Sequence, residues 1–409
     1  MPKTIAVLAT MDTKGAEADF VRQEIEALGE EALLVNIGVV GPAAVPVHID
    51  TATVIRAGGG DPDALLKNPT REDIGPYLVR GAQKILLDLV LEHKIHALLA
   101  MGGTQGTSTC SQVMQALPYG FAKIMLSTAA SGDTEPFVDI KDITMMFSVS
   151  DILGLNPFSR KILANAAGAA VGMAQKSERV ITAEAGSKGT IGMTNLGVLT
   201  HGAMHAIDLF HEAGYEVITF HAIGAGGRAM EQMMREGIIK AVFDYGLGEI
   251  ADDVYDGLRA SHDPERLTVA GKLGLPQVIC PGGAEHIGLL LHTPNEAPEA
   301  YKHHAYVFHS PVVFAPRLGP DEIRKVATDI TRRLAHSKQK TVFMLPLQGV
   351  SRYSVPGGPL VDKESDTVFF DTLRSTMPAS IELRELDYGA EDPAFIEEAV
   401  RTLIHLIEQ

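Results

Sequence analysis

Cysteine is scarce in this chain: two residues in 409, Cys110 and Cys280. Neither stands in a Cys-x-x-Cys pair or at zinc-ligand spacing. A disulfide framework and a structural zinc module are therefore excluded, and free thiols in a reducing cytosol are expected. Basic residues are also in short supply. The 35 Lys and Arg against 51 Asp and Glu leave a net charge of −16, the wrong sign for neutralising a nucleic-acid backbone. No uninterrupted apolar run reaches the ~20 residues of a membrane span. The opening MPKTIAVLATMDTKG lacks the apolar length and the cleavage site of a secretory signal. These absences predict a cytoplasmic protein without nucleic-acid or membrane contacts. No low-complexity tract and no fixed-period repeat occurs. The pattern GxxxxGK[ST] is absent too, which excludes a P-loop NTPase mechanism.

What is present is length, glycine and alternation. A chain of 409 residues exceeds the usual reach of one core, so two domains are expected, 1–180 and 181–409, joined through the polar stretch SERVITAEAGSKG at 177–189. Short apolar runs alternate with helical stretches, which predicts two doubly wound α/β domains with mostly parallel sheets. In the first, strands are expected at TIAVLAT, ALLVNIG, TATVIRAG, IHALLAM and AKIMLST. Helices are expected at 16–28, 77–93, 107–116 and 151–176, the last broken near Pro157. Gly168 and Gly172, four apart among alanines, predict tight packing of that last helix, with a domain-joining or dimer role open to it. In the second, strands are expected at TIGMTNLG, EVITFHAIG, IKAVFDYG, PQVICPG, TVFMLPL and SIELREL. Helices are expected at 203–213 and 228–236, and near 249–258, 321–335, 366–376 and 393–408.

In open parallel sheets, ligands bind beyond the carboxyl ends of the strands. Four first-half loops carry unusual residues there. In TMDTKG, Asp12 or Thr13 can cap a helix while Lys14 sits beside its positive end. AGGGDPD brings three consecutive glycines. MGGTQGTS offers close backbone approach through Gly102, Gly103 and Gly106, and hydroxyls on Thr104, Thr107 and Ser108, at a helix start suited to phosphate. STAASGDTEPF brings Ser131, Gly132, Asp133 and Glu135; Asp133, Glu135, Asp139 and Asp142 could hold Mg²⁺ through waters, and Asp133 and Glu135 are the candidate ligands chosen.

The second half has a competitor. FHAIGAGGRAME matches GxGxx[GA] through Gly224, Gly226 and Ala229, with Asp244 twenty residues beyond Gly224, as in a dinucleotide fingerprint. Against that, the strand TIGMTNLG precedes it, and Arg228 inside the loop suits a carboxylate or single phosphate. CPGGAEHIG and PLQGVSRYSVPGGP end two further strands. With His221, Arg228, Glu231, Glu249, Glu285 and His286 they could form a second polar pocket fit for proton transfer. The histidines at 201, 205 and 211 and at 303, 304 and 309 lack an evident third metal ligand, and Cys280 lacks an assignable histidine; surface or packing roles are favoured for the histidines and a buried inert thiol for Cys280.

The runs IAVLATMDTKGAEADFV, AMGGTQGT, SGDTEPFVDIKDITMMFSVSDILGLN, FHAIGAGGRAMEQMMREG and PLQGVSRYSVPGGP together resemble one family. It is that of the ATP-binding N-terminal domain of the tomato tobamovirus-resistance protein, with bacterial homologues of uncharacterised function. The resemblance covers essentially the whole chain. It implies two Rossmann-like domains, ATP with Mg²⁺ on the first, and a homodimer. The nucleotide region it implies comprises Asp12, Thr13 and Lys14; Gly102, Gly103, Thr104, Gln105, Gly106 and Thr107; and the turn Ser131, Gly132 and Asp133. The plant protein continues into a barrel-like domain, so a separately encoded partner of that type is expected. The resulting expectation is an ATP-dependent enzyme acting on a small acidic metabolite, with Lys14, Arg228, Glu231 and His221 as the candidate catalytic groups. A lyase or hydrolase centred in the second domain, with ATP regulatory, and a non-catalytic nucleotide binder remain the alternatives.

Overall fold

A computed structural model describes residues 2–67, 69–176, 186–337 and 340–409. The chain divides into two compact units, Met1–Thr182 and Ala183–Gln409. The expected crossing at 177–189 lies, over 177–185, outside the described residues. Both units are α/β with parallel main sheets, as the alternation predicts.

The first unit runs β1 (Thr4–Ala9), α1 (Gly15–Ala27), β2 (Glu31–Asn36), α2 (Thr51–Ala57), α3 (Pro62–Leu65), α4 (Arg71–Leu91), β3 (Ala97–Gly102), α5 (Thr104–Gln115), β4 (Ala122–Ser127), α6 (Glu135–Val138), β5 (Thr144–Phe147) and α7 (Pro157–Ala174). Its strands lie in the order β2-β1-β3-β4-β5, every pair parallel. The central strands β3 and β4 are buried throughout, as expected of a sheet covered on both faces. Helices α1 and α7 cover one face through Val21, Ile25, Leu163 and Ala167. Helices α2, α4 and α5 cover the other through Val54, Leu78, Leu86 and Val113.

Three expectations are corrected here. TATVIRA is helix α2, not a strand: its β-branched residues are outweighed by buried Thr51, Val54 and Ile55 at helical spacing and by Asp50, whose side chain caps Thr53 N at 2.7 Å. AGGGDPD therefore follows a helix and lies off the strand-end edge. An added Cβ at Gly58 would lie 2.1 Å from the Tyr77 carbonyl, and one at Gly81 would lie 1.8 Å from that of Val54, so glycine here permits the close crossing of α2 and α4. Helix α7 starts at Pro157, capped by Asn156, and residues 151–156 are not helical. A Cβ at Gly168 or Gly172 would have no described neighbour within 4 Å, so the tight packing expected there is not made among the described residues.

The second unit runs β6 (Thr190–Asn195), α8 (Thr200–Glu212), β7 (Glu216–His221), α9 (Ala225–Arg235), β8 (Ala241–Gly246), α10 (Gly248–Tyr255), α11 (Val269–Leu273), β9 (Gln277–Gly282), β10 (Leu289–Leu290), β11 (Tyr306–Ser310), β12 (Val313–Pro316), α12 (Pro320–Arg333), β13 (Thr341–Pro346), α13 (Lys363–Thr376), β14 (Glu382–Leu386) and α14 (Pro393–Glu408). Six parallel strands lie in the order β14-β13-β9-β8-β6-β7. Alternate residues of one strand serve opposite cores: Phe243 and Tyr245 face α8 and α14, while Val242 faces α9 and α11. The small antiparallel sheet β10-β12-β11 had no counterpart in the sequence reading. No described helix is long and apolar enough to cross a membrane.

Candidate functional site

In the first sheet the chain turns from β1 to its neighbour β2, then crosses to the other side of β1 to enter β3. The carboxyl ends of β1 and β3 thus form the topological switch point, where such sheets open a crevice. A cavity of about 530 Å³ lies there. It brings together Asp12, Thr13 and Lys14 with Gly102, Gly103, Thr104, Gln105 and Gly106, from two loops ninety residues apart in the sequence.

Both loops end in helix starts. No side chain caps α5, and its first bonded N–H is that of Thr107, to Gly103 O at 2.8 Å. The N–H groups of Thr104, Gln105 and Gly106 therefore stand outside the helix ladder and carry the positive end of the helix dipole. Helix α1 likewise has no side-chain cap, and its first bonded N–H is that of Ala18. A Cβ at Gly102 would fall 2.8 Å from Gly106 Cα, so the tight strand-to-helix turn requires glycine at that position. Asn36 holds the neighbouring loops together, its Oδ1 accepting from Met11 N and Gly38 N, both at 2.8 Å.

The remaining predicted groups divide. Lys14 lines the cavity and its Nζ donates to Ile152 O at 2.7 Å. Thr107 is fully buried, its Oγ1 hydrogen-bonded to Ser127 Oγ at 2.6 Å, so it braces the loop from behind. Ser131, Gly132, Asp133 and Glu135 are exposed on the loop after β4 and are not among the lining residues. Asp133 Oδ1 accepts from Glu135 N at 3.0 Å, and no described cluster of three or more His, Cys, Asp or Glu is arranged to hold a metal. The carboxylate inside the cavity is Asp12: its Oδ2 accepts from Val40 N at 2.7 Å, and its Oδ1 is buried without a described hydrogen-bond partner. The sequence reading missed the apolar wall of Ile37, Val39, Val40, Ile74 and Leu78. Its only signal was the apolar continuation NIGVV beyond β2, and nothing in the sequence tied Ile74 or Leu78 to it.

The second glycine loop has the same sequence logic and the opposite outcome. Gly224 and Gly227, at the start of α9, donate their N–H groups to Glu249 Oε1 at 2.7 and 3.1 Å. Glu249 is fully buried, and its other oxygen accepts from Arg266 Nε at 2.6 Å. Arg266 then forks onto Asp244 at 2.6 and 2.9 Å and approaches Glu231 at 3.5 Å. An internal carboxylate thus occupies the place a pyrophosphate would take, and Asp244 is engaged by Arg266 and by Thr194 at 2.7 Å. Strand β7 is moreover the edge strand of its sheet. The apparent dinucleotide fingerprint is a structural ion network. Glu231 belongs to that network: burial pushes its carboxyl up to about 7, against the opposing pull of Arg266. Arg228 is half-buried on α9, and neither it nor Glu231 is among the cavity-lining residues.

A cavity of about 200 Å³ does open at the carboxyl edge of the second sheet, lined in part by His221, Arg259, His286, His309 and Tyr353. His286 Nδ1 lies 3.2 Å from Oε1 of fully buried Glu285, which also accepts from Ser351 Oγ. Burial alone would raise the Glu285 carboxyl, but His286, Arg317 and Ser351 bring it down to about 2. Arg259 was missed by the sequence reading because it lies in an irregular segment with no motif around it. Cys110 and Cys280 are buried, and burial raises both thiols, Cys110 to about 12, as expected of inert packing groups. Of the histidine groups, only His309 lines this cavity; His304 bonds Arg317 O at 2.7 Å and His205 faces Glu397 at 3.7 Å.

Comparison with known proteins agrees with the resemblance carried by the motifs. The sequence model described as the N-terminal domain of Uncharacterised protein family (UPF0261) matches residues 3–179, and that of its C-terminal domain matches 188–407. A UPF0261 protein of Clostridium tetani is 37% identical over 411 residues, covering 100% of both chains. One of Mesorhizobium japonicum is 34% identical over 96% of both. The ToMV resistance protein Tm-1(GCR237) of Solanum lycopersicum is 30% identical over 322 residues, 77% of this chain and 42% of that protein. The chain belongs to the UPF0261 family.

Proposed function

We propose that this family member is an enzyme of small acidic metabolites that binds ATP with Mg²⁺ in its N-terminal unit, at the β1/β3 switch point. The observation that carries the reading is the uncapped start of α5, whose three N–H groups outside the helix ladder belong to residues lining a cavity of about 530 Å³. Phosphates fit that start and the adjoining start of α1, with Lys14 beside them. A base fits the apolar wall of Ile37, Val39, Ile74 and Leu78. The kinship with the Tm-1 protein favours ATP over other nucleotides. The cavity lining holds no aromatic residue on which a flavin ring could stack, which disfavours FMN.

Asp12 suits a metal held alongside phosphates, because its Oδ1 is a buried carboxylate oxygen without a described partner. Bound there, Mg²⁺ would neutralise charge on the phosphate oxygens. Positioning and charge stabilisation are most of what phosphoryl transfer asks of a protein, and the two helix starts and Lys14 are suited to both. The reading includes a cytoplasmic homodimer. It also includes a separately encoded barrel-like partner, suggested by the longer Tm-1 protein, of which this chain covers 42%. The second cavity favours one other reading, in which chemistry resides in the C-terminal unit and ATP is regulatory.

Isothermal titration of the full chain with ATP, ADP, NAD and FMN, each with and without Mg²⁺, tests the nucleotide. ATP binding strengthened by Mg²⁺ and abolished by Gly103→Val is expected. No heat at millimolar ATP, or a preference for NAD or FMN, overturns it. Product analysis after incubation with ATP and candidate sugar acids then separates an enzyme from a pure binder.

A further inference from the structure

The second unit repeats the switch-point geometry. Its chain passes from β6 to edge strand β7, then crosses β6 to enter β8, and the cavity of about 200 Å³ opens at the carboxyl ends of these strands. The antiparallel strands β11 and β12 contribute His309, Val313 and Ala315 to its lining. The volume is below the roughly 300 Å³ at which ordinary ligand pockets begin, which limits an occupant to a few carbon atoms.

The polar lining has one chemical character. Its side chains are Arg259, His221, His286, His309 and Tyr353, and no carboxylate is among them. Arg259 is nine-tenths buried and locked in place. Its Nε and NH2 donate to Asp252 at 3.0 and 2.8 Å, NH2 also donates to His286 O at 2.6 Å, and NH1 lies 3.3 Å from His286 Nε2. His286 thus stands between Glu285 Oε1, 3.2 Å from its Nδ1, and the Arg259 guanidinium, at its Nε2. Arg259, its guanidinium held by Asp252 and by the His286 carbonyl, is the one Lys or Arg among the described residues lining the cavity. Tyr353 Oη and His309 Nδ1, 3.3 Å apart, stand on the rim. A cationic guanidinium with no carboxylate in the lining suits an acceptor group. Because Asp252 already offsets the Arg259 charge, a singly charged planar anion fits better than a doubly charged phosphate.

We propose that this cavity is a recognition site for a small organic carboxylate, held by the Arg259 guanidinium and the His309–Tyr353 rim, with its short carbon skeleton against Val198, Val313 and Ala315. The site rests on the acidic-substrate part of the function proposed above and is independent of the nucleotide.

Titration of the full chain with pyruvate, malonate, succinate and inorganic phosphate tests it, with ATP titrated in parallel. At least one carboxylate binds, and binds about tenfold more weakly to His309→Ala and Tyr353→Phe, rim variants that leave the buried ion pairs intact. Gly197→Leu abolishes carboxylate binding: Gly197 lines the cavity, and a Cβ there meets only His309 Cε1, at 3.8 Å, so the side chain is accommodated at its base and competes for the ligand's space. The same variant leaves ATP binding unchanged, so loss of one ligand is distinguishable from loss of the other. Absence of carboxylate binding at ~10 mM, above ordinary metabolite affinities, overturns the proposal. So does carboxylate binding that survives Gly197→Leu, or a preference for phosphate that Gly197→Leu removes.

Discussion

Gly106→Asp separates the needs of folding from those of binding in the first unit, because the two respond with opposite signs. Gly106 lies in the first turn of α5, and a Cβ there meets only Met101 O at 3.8 Å, with no positive φ to strain. A carboxylate at an uncapped helix start stabilises the helix by about 0.3–1 kcal/mol. The same carboxylate stands ~5 Å from a phosphate seated on the N–H groups of Thr104 and Gln105. At an effective dielectric of about 20, the repulsion is about 3 kcal/mol, or roughly a hundredfold in affinity. Thermal unfolding with and without ATP·Mg²⁺ reads both effects. At a hundred times its Kd, ATP stabilises the parent unit by about 2.7 kcal/mol, a Tm rise of roughly 5–10 °C for a domain of this size. At the same concentration the variant gains about 0.4 kcal/mol, a rise of roughly 1 °C. Gly106→Asn supplies similar bulk without the charge and should keep most of the shift. Equal ATP shifts in Gly106→Asp and the parent would refute the reasoning, as would an apo variant melting several degrees lower.

Glu249→Ala removes the internal anion of the second glycine loop, leaving the Gly224 and Gly227 N–H groups unpaired and Arg266 short of a partner. Urea unfolding of that unit should record a loss of about 3–5 kcal/mol, and a loss under about 1 would mean that the loop does not depend on this carboxylate. Glu231, raised from 4.5 to about 7, holds its proton in the folded chain after the unfolded chain has lost it. Its contribution is therefore full below pH 4.5 and declines as pH rises to about 7, by about 3 kcal/mol. The stability difference between the parent and Glu231→Gln should follow that curve, and a flat difference counts against it. Gly81→Ala forces α2 and α4 apart and should cost about 1–3 kcal/mol or more. Gly172→Ala, with open space around it, should be neutral or stabilising by up to ~1 kcal/mol in the chain itself. If α7 packs closely against a second copy, light scattering will show Gly172→Ala weakening the dimer.

The fold was legible because its central strands are buried runs bounded by glycine, and that pattern survives in a single sequence. β3 reads directly from ALLAMG and β8 from AVFDYG. The misses have local causes. Thr51, Val54 and Ile55 are β-branched, so TATVIRA reads as a strand until the Asp50 cap is weighed against it. β10 and β11 are short and partly exposed, and β12, though largely buried, is only four residues long. In the first cavity, Asp12 to Lys14 and Gly102 to Gly106 were legible because glycine and polar residues after a buried strand are unusual. The apolar wall was not, since Ile74 and Leu78 sit on α4, and any helix facing a sheet offers such residues. Asp133 and Glu135 are not among the residues lining that cavity: acidic residues on a strand-end loop are common, and only the strand order decides which loop reaches the crevice.

The two glycine loops mark the limit of motif reading. GGTQG after β3 and GAGGR after β7 each join a parallel strand to a helix, and each presents backbone N–H groups at the helix start. The second is the better match to a known fingerprint. Its N–H groups are nevertheless taken by Glu249, a residue 22 positions beyond Gly227 that happens to fold back beneath the loop. Among the described residues no carboxylate accepts from the N–H groups of the first, and the residues that bear them line a cavity. Burying Glu249 is tolerable only because Arg266 accompanies it, and Arg266 is itself sustained by Asp244 and Glu231. Four residues spread over 231–266 thus convert an anion-binding turn into a structural joint. A glycine-rich turn specifies an affinity for negative charge, and whether the charge comes from a ligand or from the chain is settled by residues elsewhere. The same test applies to other members of this family: where a carboxylate with an arginine behind it packs beneath the loop after β7, that loop is closed to nucleotides, whatever its glycine spacing.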